Sequence, residues 1–266
     1  MTGDIMLEER DGIACITLNR PHVRNALTLA MCRELIELLE RLATDADTRV
    51  VVLQGSGGHF SSGADLRDVS MSLPGEARER SRVMADQVRT LSWPLVRALG
   101  SLPQPLIASV AGHAVGVGAQ LVLSADLVIA ARSAKFTIPQ VRLGHSADHG
   151  ESWYLPRKVG TGRAMQILLF GEPLPAEDAE RYGLVNWLVD DEVLEERTRE
   201  LALKLARGAP VALKETKALV QHSLLNSLDE QLEAETHAVG RCAATEDFVA
   251  AIEAFLAKRT PVFSGR

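Results

Sequence analysis

Two glycine-bearing segments have the composition of turns that present backbone N–H groups to a polarised oxygen. Residues 59–66 read His-Phe-Ser-Ser-Gly-Ala-Asp-Leu, and residues 111–120 read Ala-Gly-His-Ala-Val-Gly-Val-Gly-Ala-Gln. Each follows a short apolar run, at 50–53 or 106–110, and each precedes a stretch with helical spacing. A strand, a glycine turn and a helix start aim free N–H groups in one direction. Two such turns predict two amide donors at one oxygen atom, an oxyanion hole, although such glycines can also serve only to reverse the chain.

The composition narrows the class of protein. The 266-residue chain has 46% hydrophobic and 24% charged residues and a formal net charge of −6. These values indicate a globular protein with a sizeable core and argue against a nucleic-acid-binding protein. The arginines within residues 78–97 are interleaved with acids, which favours a solvated helix face over a site for an acidic ligand. Neither a signal-peptide pattern nor a run of about eighteen apolar residues is present, so we expect a cytoplasmic protein without a membrane span.

Cysteine and histidine spacing gives no support for a metal or disulfide framework. Cys15, Cys32 and Cys242 are scattered and lack the spacing of paired cysteine ligands. His145 and His149 lie four residues apart, as metal ligands on a helix do, but no third ligand is evident. No metal site is therefore predicted.

Alternating strand and helix patterns predict an α/β fold. Apolar runs predict strands at 13–19, 50–53, 106–110, 127–130 and 135–138. Helical spacing predicts helices at 28–44 and 119–124 and a polar helical segment over 75–102, interrupted at Pro94. Because the strands are continuously apolar and alternate with helices, we expect a largely parallel sheet covered by helices.

The pattern becomes entirely helical after about residue 190. Helices are predicted at 193–207, 211–225, 228–244 and 247–258. Ser227 and Glu230 have the spacing of a capping box at the start of the third of these helices. Several helices have apolar faces wide enough to need a partner.

A series of motifs, in a fixed order along nearly the whole chain, resembles the crotonase family, the enoyl-CoA hydratase/isomerase superfamily. The matching segments are 16–21, 25–27, 50–55, 60–66, 124–127, 176–179, 183–185 and 255–259. The resemblance implies a spiral core of repeated ββα units over residues 1–190 and a C-terminal all-helical trimerisation region over 191–266. It also implies an acyl-coenzyme A thioester as substrate, no separate cofactor, and a homotrimer or a dimer of trimers.

The resemblance assigns roles to the two glycine turns. Family members polarise the thioester carbonyl with two backbone amides, which correspond here to the N–H groups of Ala64 and Val117. Geometry rather than side-chain type sets the strength of a backbone donor, so alanine and valine can serve. The residues carried over as coenzyme A contacts are His22, Val23, Arg24, Ser62, Ala64, Asp65, Leu66, Arg67, Phe255 and Lys258, the last two reaching a neighbouring subunit's nucleotide.

The chain departs from the hydratase pattern at both acid–base positions. Where hydratases carry two glutamates, this sequence has Gln120 and Gln140. Hydration needs a carboxylate to activate water and a carboxylic acid to protonate the α-carbon, and an amide does neither near neutral pH. We therefore expect no efficient hydratase. Gln120 and Gln140 can still donate hydrogen bonds to a polar acyl group or hold a water molecule.

Asp148 is the remaining carboxylate with precedent. It lies eight residues beyond Gln140, where isomerase members carry a proton-shuttling carboxylate and aryl-CoA dehalogenases a nucleophilic aspartate. We predict that Asp148 is the acid–base residue of an enoyl-CoA isomerase, with Glu151 in reserve and His113, His145 and His149 as possible orienting groups. The structural alternative is that Asp148 and Glu151 form a helix capping box. Proton transfer by Asp148 would require burial to raise its pKa.

Several functions remain open beside double-bond migration. Asp148 as a nucleophile would suit a dehalogenase or a thioester hydrolase, although the position that a tryptophan fills in the dehalogenases is Gln140 here. A residual hydratase and a catalytically silent acyl-CoA-binding protein are the others. All belong to the acyl-CoA chemistry of which fatty acid metabolism is one part, and none requires nucleic acid or a membrane.

Overall fold

The computed structural model describes residues 3–70 and 74–266. Strands of the described chain form two sheets: β1 (Ile5–Arg10), β2 (Ile13–Leu18), β3 (Val50–Gly55), β4 (Leu106–Val110), β5 (His113–Val115), β6 (Leu127–Ala131), β7 (Lys135–Thr137), β8 (Leu174–Pro175) and β9 (Trp187–Val189). The larger sheet has the order β1-β2-β3-β4-β6-β9 and the smaller one β5-β7-β8. In the larger sheet only β1 and β2 pair antiparallel.

Helices surround the two sheets. They are α1 (Leu29–Thr44), α2 (Leu66–Ser70), α3 (Ala77–Gln87), α4 (Trp93–Ser101), α5 (Val117–Leu123), α6 (Glu151–Val159), α7 (Thr161–Phe170), α8 (Ala176–Tyr182), α9 (Leu194–Ala206), α10 (Pro210–His222), α11 (Leu228–Ala243) and α12 (Glu246–Leu256). In the described part of the chain, none of them is long and apolar enough to cross a membrane.

The chain alternates between the sheets in repeated units. β4 enters the larger sheet, β5 the smaller one, and α5 follows; β6, β7 and then α6 repeat the pattern. The predicted ββα arrangement is therefore confirmed. Because β3 and β4 are neighbouring parallel strands, with Val51 opposite Leu106, their carboxyl ends lie at the same edge of the sheet. The two glycine turns leave the sheet from this edge.

Both faces of the larger sheet are covered, which explains its continuously apolar strands. Along β3, Val51 and Leu53 join the main core with α1 and α4, whereas Val50 and Val52 pack against α9 on the opposite face. Ser109 on β4 and Thr198 on α9 join their hydroxyl groups at 2.8 Å across this second interface. α9, which lies beyond residue 190, thus packs directly on the sheet.

Helix boundaries follow local chemistry. Thr28 caps α1 by accepting the backbone N–H of Met31 at 3.1 Å, and the predicted capping box of Ser227 and Glu230 is present at the start of α11. The predicted interruption at Pro94 is wrong in form. A π-helical turn, Val88–Ser92, connects α3 to α4 without a break, and Pro94 lies in the first turn of α4, directly after this turn.

Asn25 ties the loop after β2 to the first glycine turn. Its side chain is fully buried, donates to the carbonyl oxygens of Ser56 at 2.8 Å and His59 at 2.7 Å, and accepts the N–H of Arg20 at 2.8 Å. Its backbone φ of +56° is a conformation that asparagine tolerates better than most residues. One side chain therefore joins three backbone groups at the base of the turn.

We predict that Asn25→Ala lowers the free energy of unfolding by about 3 kcal/mol or more, because it leaves these backbone groups without partners. The control is Asn19→Ala, since within residues 3–70 and 74–266 the Asn19 side chain makes one exposed hydrogen bond, to the carbonyl of Gly3, and its loss should cost less than about 1 kcal/mol. Urea unfolding of both variants measures the difference. Equal stability of the two variants would contradict the role given to Asn25.

Candidate active site

The two glycine turns lie side by side. Ser61 pairs with Ala114 in a parallel bridge, in which the N–H of Ser61 donates to the carbonyl of His113 at 2.8 Å and that of Val115 donates to the carbonyl of Ser61 at 2.9 Å. Two pairs of backbone hydrogen bonds thus fix the relative position of residues 59–66 and 111–118. The two turns are therefore in contact, and the convergence of their N–H groups on one oxygen stays a prediction.

Two glycines allow this approach. Gly63 has a φ of +92°, and a Cβ atom there would lie 2.7 Å from the carbonyl oxygen of Val115. A Cβ on Gly118 would lie 2.7 Å from the Cβ of Ser61. Contacts this short do not occur between real side chains and backbone, so both positions require glycine for space.

Each turn carries a backbone N–H without an intramolecular acceptor. Ala64 is exposed, and its neighbours on either side are bonded: the carbonyl of Gly63 accepts from Leu27, and the N–H of Asp65 donates to Leu27. Val117 is the first residue of α5, a position that has no intrahelical partner for its N–H. In residues 3–70 and 74–266, no acceptor is bonded to either N–H. Both donors remain available to a bound oxygen.

Gln120 and Gln140 are buried, with exposed fractions of 1% and 5%. The Gln120 amide donates to the hydroxyl of Ser124 at 2.9 Å, and that of Gln140 donates to a carboxylate oxygen of Glu151 at 2.6 Å. Their Oε1 atoms accept no hydrogen bond from any group in the described part of the chain. Both amides are therefore fixed by their donor side.

Glu151 anchors the loop that carries Asp148. It is fully buried, and its Oε2 atom accepts the backbone N–H groups of Asp148 at 3.2 Å and His149 at 2.9 Å. With the side-chain amide of Gln140, three donors in all bond to the oxygens of the Glu151 carboxylate. α6 begins at Glu151 after Gly150, and no side chain caps it. Of the two bonds of the capping box considered for Asp148 and Glu151, only the one from the Asp148 N–H to the Glu151 carboxylate is present. The Glu151 carboxylate instead binds the backbone that precedes the helix.

Asp148 and His149 form a bonded pair. Their Oδ1 and Nδ1 atoms lie 2.9 Å apart, and each side chain is 19% exposed. Burial acts to raise the pKa of Asp148, but the hydrogen bond and charge of His149, with help from Gln140 and His145, hold the pKa below its usual value. Burial acts to lower the pKa of His149, but Asp148 and Glu151 raise it above its usual value. The raised Asp148 pKa that unaided proton transfer requires is therefore absent.

Other histidines and possible ligand atoms have different surroundings. The ring of His113 stacks on His59, with centroids 5.1 Å apart, rather than bonding to Asp148. Burial and the charge of His59 lower the pKa of His113.

Asp148, His149 and Glu151 bring ligand-type atoms within 4.8 Å of one another. Because hydrogen bonds already use Asp148 Oδ1, both Glu151 oxygens and His149 Nδ1, we assign no metal to them.

The predicted coenzyme A contacts divide into two groups. His22, Val23 and Arg24 form an exposed loop against the first turn, where Ser62 donates to the carbonyls of Val23 and Arg24. Asp65 binds Arg20 at 3.2 Å, and Leu66 and Arg67 are exposed at the start of α2. The structure therefore brings this group together along one rim.

Phe255 and Lys258 form the second group and lie at the end of α12. Phe255 is 82% exposed. α12 packs against α11, and its Asp247 binds the backbone of Ser264 and Gly265. The N–H of Lys258 donates to the carbonyl of Phe255 at 3.1 Å, and in the described chain no backbone hydrogen bond joins either residue to the first group.

A cleft of about 1130 Å³ opens between α4, α6 and α10 and includes Ser124, Gly150 and Tyr154. None of its lining residues belongs to either glycine turn.

The arginines of the 78–97 segment are exposed, as expected for a solvated helix face. Sequence reasoning gave no role to Asn25 or Ser124. The motif segments at 25–27 and 124–127 contained both residues, but nothing in the sequence indicated a contact for either.

Comparison with known proteins gives the same picture over the whole chain. Residues 8–266 match the model of a family described as enoyl-CoA hydratase/isomerase. A Rhodobacter capsulatus protein named "Probable enoyl-CoA hydratase" is 42% identical over 98% of both chains, and the 1,2-epoxyphenylacetyl-CoA isomerase of Escherichia coli is 37% identical, also over 98% of both. The crystal structure of an enoyl-CoA hydratase from Bacillus anthracis superimposes with a TM-score of 0.90 at 33% identity, covering 99% of this chain and 100% of that one.

We predict that Gly63→Ala costs at least about 2 kcal/mol more unfolding free energy than Gly58→Ala, because only the first substitution forces a methyl group into a carbonyl oxygen. Gly58 is a matched control, since its φ is +76° and no atom lies within 4 Å of the added Cβ. Both variants bear the strain of a positive φ, and the difference isolates the contact between the turns. Equal losses in urea unfolding would show that the turns can separate freely.

Proposed function

The chain belongs to the enoyl-CoA hydratase/isomerase family, and on that premise we propose that it is an isomerase that shifts a carbon–carbon double bond within an acyl-CoA thioester. The observation that carries the proposal is the pair of free N–H groups, those of Ala64 and Val117, on turns whose backbones are in contact. As an oxyanion hole they would stabilise the negative charge that develops on the thioester oxygen. Loss of one such donor typically slows a reaction by about a hundredfold to a thousandfold.

Polarisation of the carbonyl makes neighbouring C–H bonds acidic. In a 3-enoyl thioester, a base removes a proton from C2, the electron pair passes into a dienolate whose oxygen the two amides hold, and the proton returns to C4. The double bond then lies between C2 and C3. One proton-carrying centre suffices for this sequence. We place that centre at Asp148, together with the His149 side chain that is bonded to it.

The side chains at the hydratase positions support this choice over hydration. Gln120 and Gln140 are neutral amides whose donor groups are bonded to Ser124 and Glu151. Glu151, the reserve candidate, is fully buried and accepts from three donors, so it holds the loop rather than meeting substrate. No pair of free carboxylates is thus offered to a water molecule by these residues.

The thioester carrier fits the exposed rim beside the first turn. His22, Val23, Arg24, Ser62, Asp65, Leu66 and Arg67 are the proposed contacts to coenzyme A. We further propose that the chain works in the cytoplasm as a homotrimer or a dimer of trimers, with Phe255 and Lys258 completing a neighbour's site. Large exposed apolar side chains on the C-terminal helices support burial against another copy; they include Val220, Leu228, Leu232, Phe255 and Leu256.

A panel of thioesters tests the reaction type. We expect trans-3-hexenoyl-CoA to gain the absorbance of a conjugated thioester without addition of water, and crotonyl-CoA to keep its absorbance. 1,2-Epoxyphenylacetyl-CoA, a dienoyl-CoA and an aryl-CoA complete the panel. Rapid conversion of crotonyl-CoA to a hydroxyacyl product would contradict the proposal, and so would binding of every thioester without turnover.

We predict that Asp148→Asn lowers kcat with trans-3-hexenoyl-CoA by about a hundredfold to ten-thousandfold, because it removes the charge from the proton-transfer centre. Binding of crotonyl-CoA, measured by calorimetry, should be unchanged. Asp229→Asn is the control, since Asp229 is exposed in the first turn of α11, and its activity should match that of the wild type. Full activity of Asp148→Asn would remove Asp148 from the mechanism.

A further inference from the structure

We propose that His149 carries the migrating proton on its Nε2 atom and that Asp148 is the positioning residue that orients the imidazole ring. This inference rests on the proposed function and assigns the proton-transfer step within it. The two residues then form a carboxylate–imidazole dyad, in which the ring is the part that meets substrate.

The hydrogen bond between the two side chains fixes the ring's tautomer. Nδ1 of His149 lies 2.9 Å from Oδ1 of Asp148. An ionised carboxylate only accepts hydrogen bonds, so Nδ1 carries the hydrogen and the neutral ring has its lone pair on Nε2. In the part of the chain that the structure describes, Nε2 has no hydrogen-bond partner, and the side chain is partly exposed, at 19%. A base with a free lone pair and a fixed orientation results.

The surrounding loop holds the dyad rigidly. Glu151 binds the backbone N–H groups of both residues, and the amide of Gln140 donates to Glu151 at 2.6 Å and to Asp148 at 3.4 Å. The backbone that carries both members of the dyad is therefore held by hydrogen bonds to a fully buried carboxylate. Gln140 thus has a structural role as a donor to Asp148 and Glu151, whereas a glutamate at this position would place a third carboxylate beside these two.

A path of backbone and side-chain contacts links the dyad to the turn that carries one proposed oxyanion donor. The N–H of Gly116, the residue before Val117, donates to the carbonyl of Thr137 at 2.8 Å. Gln140 follows Thr137 by three residues, which span roughly 11 Å at most when fully extended, and its amide contacts Asp148. The chemistry at C2 to C4 of an acyl chain takes place within a few ångströms of its carbonyl.

Proton affinity favours the ring over the carboxylate as the base. The described charged groups that act on the ring are Asp148 and Glu151, and together they outweigh burial and raise the pKa of His149. In the other direction, His149, Gln140 and His145 lower the pKa of Asp148. A general base works best when its pKa lies near the operating pH. The imidazole meets that condition, and the carboxylate with its lowered pKa does not.

The proton balance of the step is closed within the site. Nε2 takes the proton from C2, the C–H electron pair enters the dienolate, and the ring becomes an imidazolium beside the Asp148 carboxylate. The same Nε2–H then protonates C4, and the ring returns to its neutral form. No oxidant, reductant or second substrate is needed.

The pH dependence of kcat/KM with trans-3-hexenoyl-CoA separates the two possible bases. If His149 is the base, activity appears as the ring loses its proton, so the acid limb lies above the ordinary histidine pKa of 6.5. If Asp148 acts directly, the limb lies below the ordinary aspartate pKa of 3.8. We expect the former. A wild-type profile that is flat from pH 5 to 8 overturns the proposal.

We predict that His149→Gln loses about a hundredfold to ten-thousandfold in kcat, because glutamine cannot accept the proton, while crotonyl-CoA binding is retained. His237→Gln is the control, since His237 is an exposed residue of α11, paired only with Glu233. Wild-type kcat in His149→Gln would assign the base to Asp148 itself and overturn the proposal.

A measurement without turnover distinguishes failure of the dyad from failure of the proposed reaction. Imidazole ¹⁵N NMR of the wild type should show the neutral ring protonated on Nδ1, a pKa above 6.5, and a lower pKa in Asp148→Asn. A proton on Nε2, or an unchanged pKa in that variant, overturns the dyad. A wild type that shows the dyad but converts no thioester of the panel contradicts the double-bond shift instead.

Discussion

The contact between two backbone turns is the constraint on which the rest of this molecule depends. Ser61 and Ala114 pair through their main chains, and Gly63 and Gly118 leave no Cβ atom in the space between them. Parallel pairing of β3 with β4 delivers both turns to one edge of the sheet, and α9 and the α1–α4 layer hold that sheet from its two faces. The free N–H groups of Ala64 and Val117 are the outcome of this packing, because geometry alone determines where a backbone donor points.

A second layer of the site is polar and buried. Gln140, Asp148, His149 and Glu151 form one connected set of hydrogen bonds, and Glu151 serves as its centre. Because a buried carboxylate needs donors, the amide at Gln140 is matched to Glu151, and a second acid there would meet an acid. The site around Gln140 is therefore filled by a connected network, and that network contains the proton-transfer group that we propose.

The sequence was sufficient for much of the fold and for part of the site. Continuous apolar runs identified β3 and β4, and the glycine spacing identified both turns, since only glycine permits the φ of Gly63 and the approach at Gly118. Short strands such as β5 and β8 have too few residues for a pattern to show. The π-helical turn before Pro94 and the bond between His149 and Asp148 depend on tertiary contacts. The sequence named Asp148 as acid–base and left a capping box with Glu151 as the alternative; α6 starts at Glu151, because the αL conformation of Gly150 turns the chain there.

The central claim is that two main-chain donors, on turns fixed against each other, polarise the carbonyl of a bound thioester. The infrared spectrum of crotonyl-CoA labelled with ¹³C at the carbonyl, recorded free and bound to the protein, tests this most directly. The account predicts that the carbonyl stretch moves to lower wavenumber on binding, since hydrogen bonds from Ala64 and Val117 weaken the C=O bond. A bound carbonyl that vibrates at the frequency of the free thioester would contradict it.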